Sequence, residues 1–300
     1  MDFHHKVEIA KCLKNVSFDN AIDDDAIDDF IRLQNIDLEE TSSLSRIGLK
    51  FMDFYTYIER LNTVGSKGIS FYTFLNDFQE YYNNWPCIKR LYDKLQFKHS
   101  CNVKCAKEIF QLYFGSINAF RPVVAMKIYD RFKPTSILNV CSGWGGFLVG
   151  ACAMNIPKIT TIDSNFELDI PYQDMKTALS KYSCTEIDCI FNDALNVDYS
   201  KISYDMAICS PPYYNTEIYS FMHSYNYKFA WNILFYRPLF TKMWENLQPG
   251  GTMVVNIPIE IYTEVLMPLL GEANEKILLP KYGRNNSYKE YNYVYFKPKI

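Results

Sequence analysis

SILNVCSGWGG, residues 136–146, is the stretch whose reading decides the fold. Its first five residues read as a buried strand. Gly143, Gly145 and Gly146 follow, and FLVGA then opens a helix. A strand that runs through G-x-G-G into a helix is a ligand-binding turn, because glycines let the backbone approach a ligand closely and the helix N-terminus faces it. The spacing is not G-x-G-x-x-G, since the next glycine is Gly150, and no G-K-[ST] follows. Dinucleotides and nucleoside triphosphates are therefore disfavoured. The same glycines also suit a tight turn that serves only the fold.

The next strand, 158–162, ends on Asp163, 20 residues after Gly143. An acid at that distance suits the two hydroxyls of a ribose. A ribose without a pyrophosphate is what S-adenosylmethionine offers. Downstream, helix 174–182, strand 187–191, strand 204–209, a helix over 225–247 bent at Pro238, strand 252–257, helix 261–270 and strands 276–279 and 291–296 continue the alternation. Alternating strands and helices predict an α/β sheet, mostly parallel and doubly wound. Residues 1–115 carry helical signals instead, with a start capped at Asp23-Asp24-Asp25 and helices over 45–61, 70–82, 88–95 and 102–114. The expected organisation is a helical module over 1–115 and an α/β domain over 116–300.

Composition narrows the function classes. The net charge of -3 does not favour a generic nucleic-acid binder, but the charge is segregated. Residues 19–40 hold nine acids against one Arg, and residues 88–107 hold six Lys and Arg against one Asp. If a module meets phosphates, Lys89, Arg90 and Lys94, with Lys98, Lys104 and Lys107, are where to look. Nine cysteines, odd in number and irregular in spacing, read as reduced thiols in an intracellular, soluble protein. No apolar run reaches the length of a membrane span, and the first residues, MDFHHKVEIAK, are no signal peptide.

The second informative stretch is CSPPYYN, residues 209–215, at the end of the strand over 204–209. Proline cannot continue a central ladder, so the strand stops there. In an open α/β sheet, ligands sit beyond the carboxyl ends of the strands where the order reverses. If the strand ending at Val140 neighbours this one, the glycine loop and SPPYYN share one crevice. Methyl transfer to a nucleobase amino group needs acceptors for its N–H groups, a flat surface for the base, and rigidity. Ser210 Oγ and the Pro211 carbonyl suit the first, Tyr213 the second, at about 1–3 kcal/mol per stacked base, and Pro211 with Pro212 the third.

At these residues the chain resembles the amino-group DNA methyltransferases, whose signature (D/N/S)-P-P-(Y/F/W) is met by Ser210-Pro211-Pro212-Tyr213. The likeness runs through about residues 118–257 and is greatest to methylases of phages and large DNA viruses. Asn118-x-Phe120-Arg121-Pro122 resembles the family's motif X, and Asn139-Val140-Cys141-Ser142-Gly143-Trp144-Gly145-Gly146 its motif I. Asp163 falls at motif II, and Asn192-Asp193-Ala194 at motif III, where the family contacts the cofactor's adenine. The resemblance implies a class I, Rossmann-like sheet of seven strands in the order 3-2-1-4-5-7-6, with strand 7 antiparallel. It also implies S-adenosylmethionine as cofactor and DNA as substrate, RNA or a protein glutamine being alternatives. The family usually has an acid where this chain has Asn139. An amide can accept a hydrogen bond but brings no charge for the ammonium group, so a binding or scaffold protein that keeps the fold without turnover is the competing expectation.

The site expected is therefore Ser210, Pro211, Pro212 and Tyr213 for chemistry. Phe120, Arg121, Pro122, Asn139, Cys141, Gly143, Gly145, Asp163, Asn192, Asp193, Ala194 and Ser210 are expected at the cofactor, and Tyr213, Tyr214, Asn215, Lys89, Arg90 and Lys94 at the substrate. Serine in the first motif position tilts the expected target towards cytosine N4 over adenine N6. His99, Cys101, Cys105 and Cys87 match no common zinc spacing, so no metal is expected. Pro86-Cys87 lies outside the α/β region, which disfavours a cysteine nucleophile. His223 is a candidate for reaching the target pocket. Trp85, Tyr81 and Tyr82 suit helix packing or stacking on bases.

Overall fold

The computed structural model describes residues 1–14, 24–65, 67–99, 101–115, 117–218, 225–279 and 290–299. Seven strands form the main sheet: β1 Ser136–Val140, β2 Lys158–Asp163, β3 Glu186–Phe191, β4 Met206–Cys209, β5 Thr252–Pro258, β6 Glu275–Leu278 and β7 Glu290–Phe296. Their spatial order is β3-β2-β1-β4-β5-β7-β6. β1 to β5 pair in parallel, and β7 runs antiparallel between β5 and β6.

The central strands are buried on both faces, and alternate residues separate two cores. Ile137, Ile159, Met206 and Ile208 face helices α8 (Pro122–Phe132), α9 (Gly146–Ala153) and α10 (Asp169–Leu179). Leu138, Val140, Ala207 and Cys209 face the opposite side, with Trp231, Tyr236, Phe240 and Tyr262 of the helices over 228–245 and 259–270. Helices α1 (Phe3–Lys14), α2 (Asp24–Gln34) and α3 (Leu49–Asn62) precede this region. They are followed by α4 (Phe71–Asn76), α5 (Phe78–Asn84), α6 (Pro86–Leu95) and α7 (Asn102–Tyr113). Phe30 and Leu33 of α2 and Phe51 and Met52 of α3 pack into the core of α8, α9 and α10. The other face of α3, through Tyr57 and Leu61, joins a separate core with α1, α4, α6 and α7.

Several elements differ from the sequence reading, each for a local reason. α10 begins at Asp169 rather than 174, because Pro171 sits in its first turn, where a missing N–H breaks no helical bond. The helix expected over 70–82 breaks at Asp77, with Ser70 Oγ capping α4 on the Thr73 N–H at 3.2 Å. α1 was not expected; its polar opening hides the buried Val7, Ile9 and Ala10. The bend read at Pro238 is a π turn over Asn232–Tyr236, immediately before Arg237-Pro238. The cap at Asp23 lies outside the described residues. Among those residues, no helix is long and apolar enough to cross a membrane.

Candidate active site

Three neighbouring strands end at one edge. Val140 of β1 is in register with Ile162 of β2 and with Cys209 of β4. The glycine loop, the turn after Asp163 and SPPYYN therefore leave the sheet side by side, and the strand order reverses at β1.

Backbone geometry builds the first part of the site. Cys141, Gly143 and Gly145 all have positive φ, at 54°, 58° and 95°. The Ser142 N–H donates to the Ile162 carbonyl at 3.1 Å and the Gly143 N–H to Asp163 Oδ2 at 2.6 Å. Asp163 Oδ1 accepts from the Asn165 N–H at 2.9 Å. Burial raises the Asp163 pKa, opposed by the N–H groups of Asn165, Gly143 and Ser164. A carboxylate offers about four lone-pair sites, so this one retains capacity for ligand hydroxyls. The Tyr172 hydroxyl holds the Gly143 carbonyl at 2.9 Å, and burial raises its pKa, keeping it a neutral donor. Thr56 of α3 donates to the Trp144 carbonyl at 3.2 Å, so an N-terminal helix braces the loop.

The glycines divide by role. A Cβ at Gly143 would meet nothing within 4 Å, whereas one at Gly146 would lie 2.0 Å from the Phe120 carbonyl oxygen. Gly143 leaves open space where a ligand can approach. Gly146 admits the segment through Phe120, Arg121 and Pro122, and the Phe120 ring stacks on Phe147 at 4.0 Å. Asn192 donates its N–H to the Asp163 carbonyl at 2.9 Å, which docks Asn192, Asp193 and the buried Ala194 on the same strand end. Asn139 is fully buried, and its Oδ1 has no hydrogen-bond partner among the described residues. Phe166, three residues beyond Asp163, is 61% exposed and was missed by sequence reasoning. An aromatic ring following a strand-end acid was the available signal.

SPPYYN is held by side chains from far along the chain. The Ser210 hydroxyl donates to Asn256 Oδ1 at 3.2 Å. The Tyr213 hydroxyl reaches the same Oδ1 at 2.8 Å and Glu290 Oε1 at 2.8 Å. Asn256 is 3% exposed at the carboxyl end of β5, and Glu290 is buried at the start of β7. The Tyr236 hydroxyl accepts the Tyr214 N–H at 2.9 Å and donates to the Pro212 carbonyl at 2.7 Å, closing a clamp around Tyr213. Tyr214 has φ 51°, and its hydroxyl bonds Asn232 Oδ1 at 3.3 Å. Asn215 accepts from Trp231 Nε1 at 3.2 Å and donates to the Tyr225 carbonyl at 3.1 Å. Asn256, Glu290, Asn232 and Tyr236 were not singled out in the sequence. No local pattern marks them, because their partner lies about 20–80 residues away. Tyr227 and Phe229 stand 76% and 74% exposed where the helix over 228–245 begins.

The remaining candidates scatter. Lys89, Arg90 and Lys94 are exposed on α6, apart from the strand ends. Lys98 and His99 pair with Glu108 at 3.0 and 2.7 Å. The sulfur atoms of Cys12 and Cys101 meet between α1 and the start of α7. Cys105 is buried and Cys87 exposed, both free. The Trp85 and Tyr81 rings meet edge-on at 5.8 Å, and Tyr82 bonds Asp93 at 2.9 Å. His223 lies outside the described residues.

Five parallel strands, the reversal at β1 and an antiparallel β7 between β5 and β6 define the topology. This is the class I methyltransferase fold. No family model matches the sequence, and no curated protein does. Among solved structures the chain is similar to TrmN from Thermus thermophilus, with 16% identity, 58% of this chain and 48% of that one covered, and a TM-score of 0.42. It is also similar to the M. jannaschii tRNA m1G37 methyltransferase, with 17% identity, coverage of 59% and 49%, and a TM-score of 0.38. The chain thus spans about half the length of these two proteins.

The fold implies S-adenosylmethionine, and the residues present fit it. Open space at Gly143 suits a ligand lying close to the backbone, the strand-end carboxylate of Asp163 suits the hydroxyls of a ribose, and the buried Asn139 Oδ1, without a partner among the described residues, suits an ammonium group.

Proposed function

We propose that the chain is an S-adenosylmethionine-dependent methyltransferase acting on an exocyclic amino group of a nucleobase in DNA. The observation that carries the reading is the register of Val140 with Cys209, by which the glycine loop and SPPYYN leave the sheet side by side. When bound, the cofactor supplies an electrophilic methyl carbon. The chain's residues prepare the nucleophile. Because the Ser210 hydrogen points to Asn256 Oδ1, the Oγ lone pairs are left to accept an amino N–H. Accepting those hydrogens at Oγ turns the nitrogen lone pair out of the base plane, and once the methyl is transferred the amine's extra proton is lost to water while Oγ remains only a hydrogen-bond acceptor. The Tyr213 ring supplies the stacking face, and its hydroxyl, seated between Asn256 Oδ1 and Glu290 Oε1 with one hydrogen to give, fixes the angle of that face. Gly143, Asp163 and Asn139 orient the cofactor.

The decisive experiment offers tritiated-methyl cofactor with mixed DNA and RNA, followed by mass spectrometry of the nucleosides. N4-methylcytosine or N6-methyladenine in the DNA fraction is the expected result. Label confined to RNA or to protein would move the substrate. Cofactor binding without any transfer would favour a scaffold.

A further inference from the structure

A cavity of ≈ 250 Å³ lies against α1, α3, α4 and α7, outside the crevice at the strand ends. Lys14, Arg46, Arg60, Lys107 and Arg121 line it, against one carboxylate, Asp53. Asp53 is 3% exposed and is bonded by both Lys14 and Arg60. Arg46 and Lys107 have no carboxylate partner among the described residues. Burial, with Arg60 and Lys14 nearby, pushes the Lys107 pKa down to about 7, and burial lowers that of Lys14. So many cations held out of water around one acid repel one another, and a multiply charged anion is the group that would offset this. Arginine forks and lysine point charges together suit phosphoryl oxygens.

The walls read phosphate rather than base. The aromatic rings here are already covered: Tyr57 by Lys14 and Arg60 at 4.4 and 5.1 Å, and Phe71 and Phe110 by Lys107 at 4.5 and 5.3 Å. All three rings are buried, leaving no free face on which a base could stack. The cavity is also tied to the crevice twice. Thr63 in its wall precedes Val64–Gly65, which pairs antiparallel with Glu217–Ile218 just beyond SPPYYN. Arg121 follows Phe120, whose carbonyl lies against Gly146 of the glycine loop.

We infer that this cavity is a phosphoryl-binding site that holds a backbone phosphate of the substrate strand while a base of that strand occupies the crevice. The inference rests on the reading of the crevice as a nucleobase site. It also moves the main electrostatic contact from the exposed Lys89, Arg90 and Lys94 to an enclosed site.

The test measures anisotropy of a labelled single-stranded DNA oligonucleotide with the full chain across a salt series. Wild type is compared with Arg46→Gln/Lys107→Gln and with Lys107→Arg. The double variant should bind at least about tenfold more weakly, with a log–log salt slope shallower by about 0.7, the share of the one phosphate that the cavity holds. Lys107→Arg should stay close to wild type. Unchanged affinity and slope in the double variant overturn the site. If the double variant unfolds, the salt slope of Lys107→Gln alone decides. A second arm titrates inorganic phosphate and a nucleoside monophosphate by calorimetry. Binding of either as tight as the oligonucleotide would assign the cavity to a free phosphate compound and overturn the strand. Should wild type bind the strand through the cavity yet transfer no methyl, the catalytic reading fails and the cavity stands. Should the double variant methylate DNA with an unchanged KM, the cavity fails and the catalytic reading stands.

Discussion

The glycine loop and SPPYYN leave adjacent strands, yet they are held in different ways. The glycine loop takes its shape from its own backbone, with positive φ at Cys141, Gly143 and Gly145 and N–H bonds to the neighbouring strand end, and the Tyr172 and Thr56 hydroxyls only brace its carbonyls. SPPYYN has two stiff prolines, but its orientation comes from Asn256, Glu290, Tyr236 and Asn232. A site built from backbone conformation writes itself into residue type and spacing. A site oriented by distant side chains does not, because any polar residue can serve once the fold brings it close.

The largest expected effect breaks the backbone half. Gly146→Ala would set a methyl group 2.0 Å from the Phe120 carbonyl oxygen and 2.8 Å from its carbon, atoms that cannot turn aside. Destabilisation of at least about 3 kcal/mol is expected, read by urea unfolding. Gly143→Ala meets open space and should cost only about 1–2 kcal/mol for its left-handed backbone. If the two variants unfold alike, the loop is not shaped by close approach, and the contrast with SPPYYN weakens.

Asn256→Ala probes the imported half. It removes the acceptor shared by Ser210 and Tyr213, so turnover should fall about a hundredfold, or about 2.7 kcal/mol, while cofactor affinity stays within a few-fold. Asn256→Asp keeps an acceptor and should recover part of the rate. Equal kcat in Asn256→Ala and wild type would mean that SPPYYN holds its own orientation. A matching loss of cofactor affinity would mean that Asn256 supports the whole sheet edge.

The smallest effect sharpens the cofactor assignment. Asp163→Ala removes a ribose acceptor and also releases the Gly143 N–H, so cofactor affinity should drop by about 1–3 kcal/mol in calorimetry. Turnover at saturating cofactor should change little. Asp163→Asn, which keeps one acceptor oxygen, should fall between the two. Unchanged affinity in Asp163→Ala would remove this residue from the ligand.

Much of this architecture was legible in residue order. Strand, glycines and helix over 136–155, the acid at Asp163 and the prolines ending β4 each impose a local backbone requirement that few residue types meet. The neighbouring of β1 and β4 was a condition of the shared crevice, supplied by the strand order that the resemblance implied, and the register of Val140 with Cys209 agrees with it. The resemblance around SPPY implied strand 7 antiparallel between 5 and 6, and the sheet has that order.

Tertiary structure alone decided the rest. Lys107 looked like one more cation of the basic segment over 88–107, but its place on α7 turns it into a cavity with Arg46 and Arg60, away from Lys89 and Arg90. Asn232 and Tyr236, four residues apart, face the same loop from one side of the helix before Pro238. Asn139 is uncharged at the strand end, and its burial leaves Oδ1 an acceptor without a partner among the described residues. Local sequence determines where the backbone must turn, because φ and the N–H inventory belong to single residues. Which charges share a cavity and where a hydroxyl points its hydrogen depend on residues brought together through space, and that only the folded chain decides.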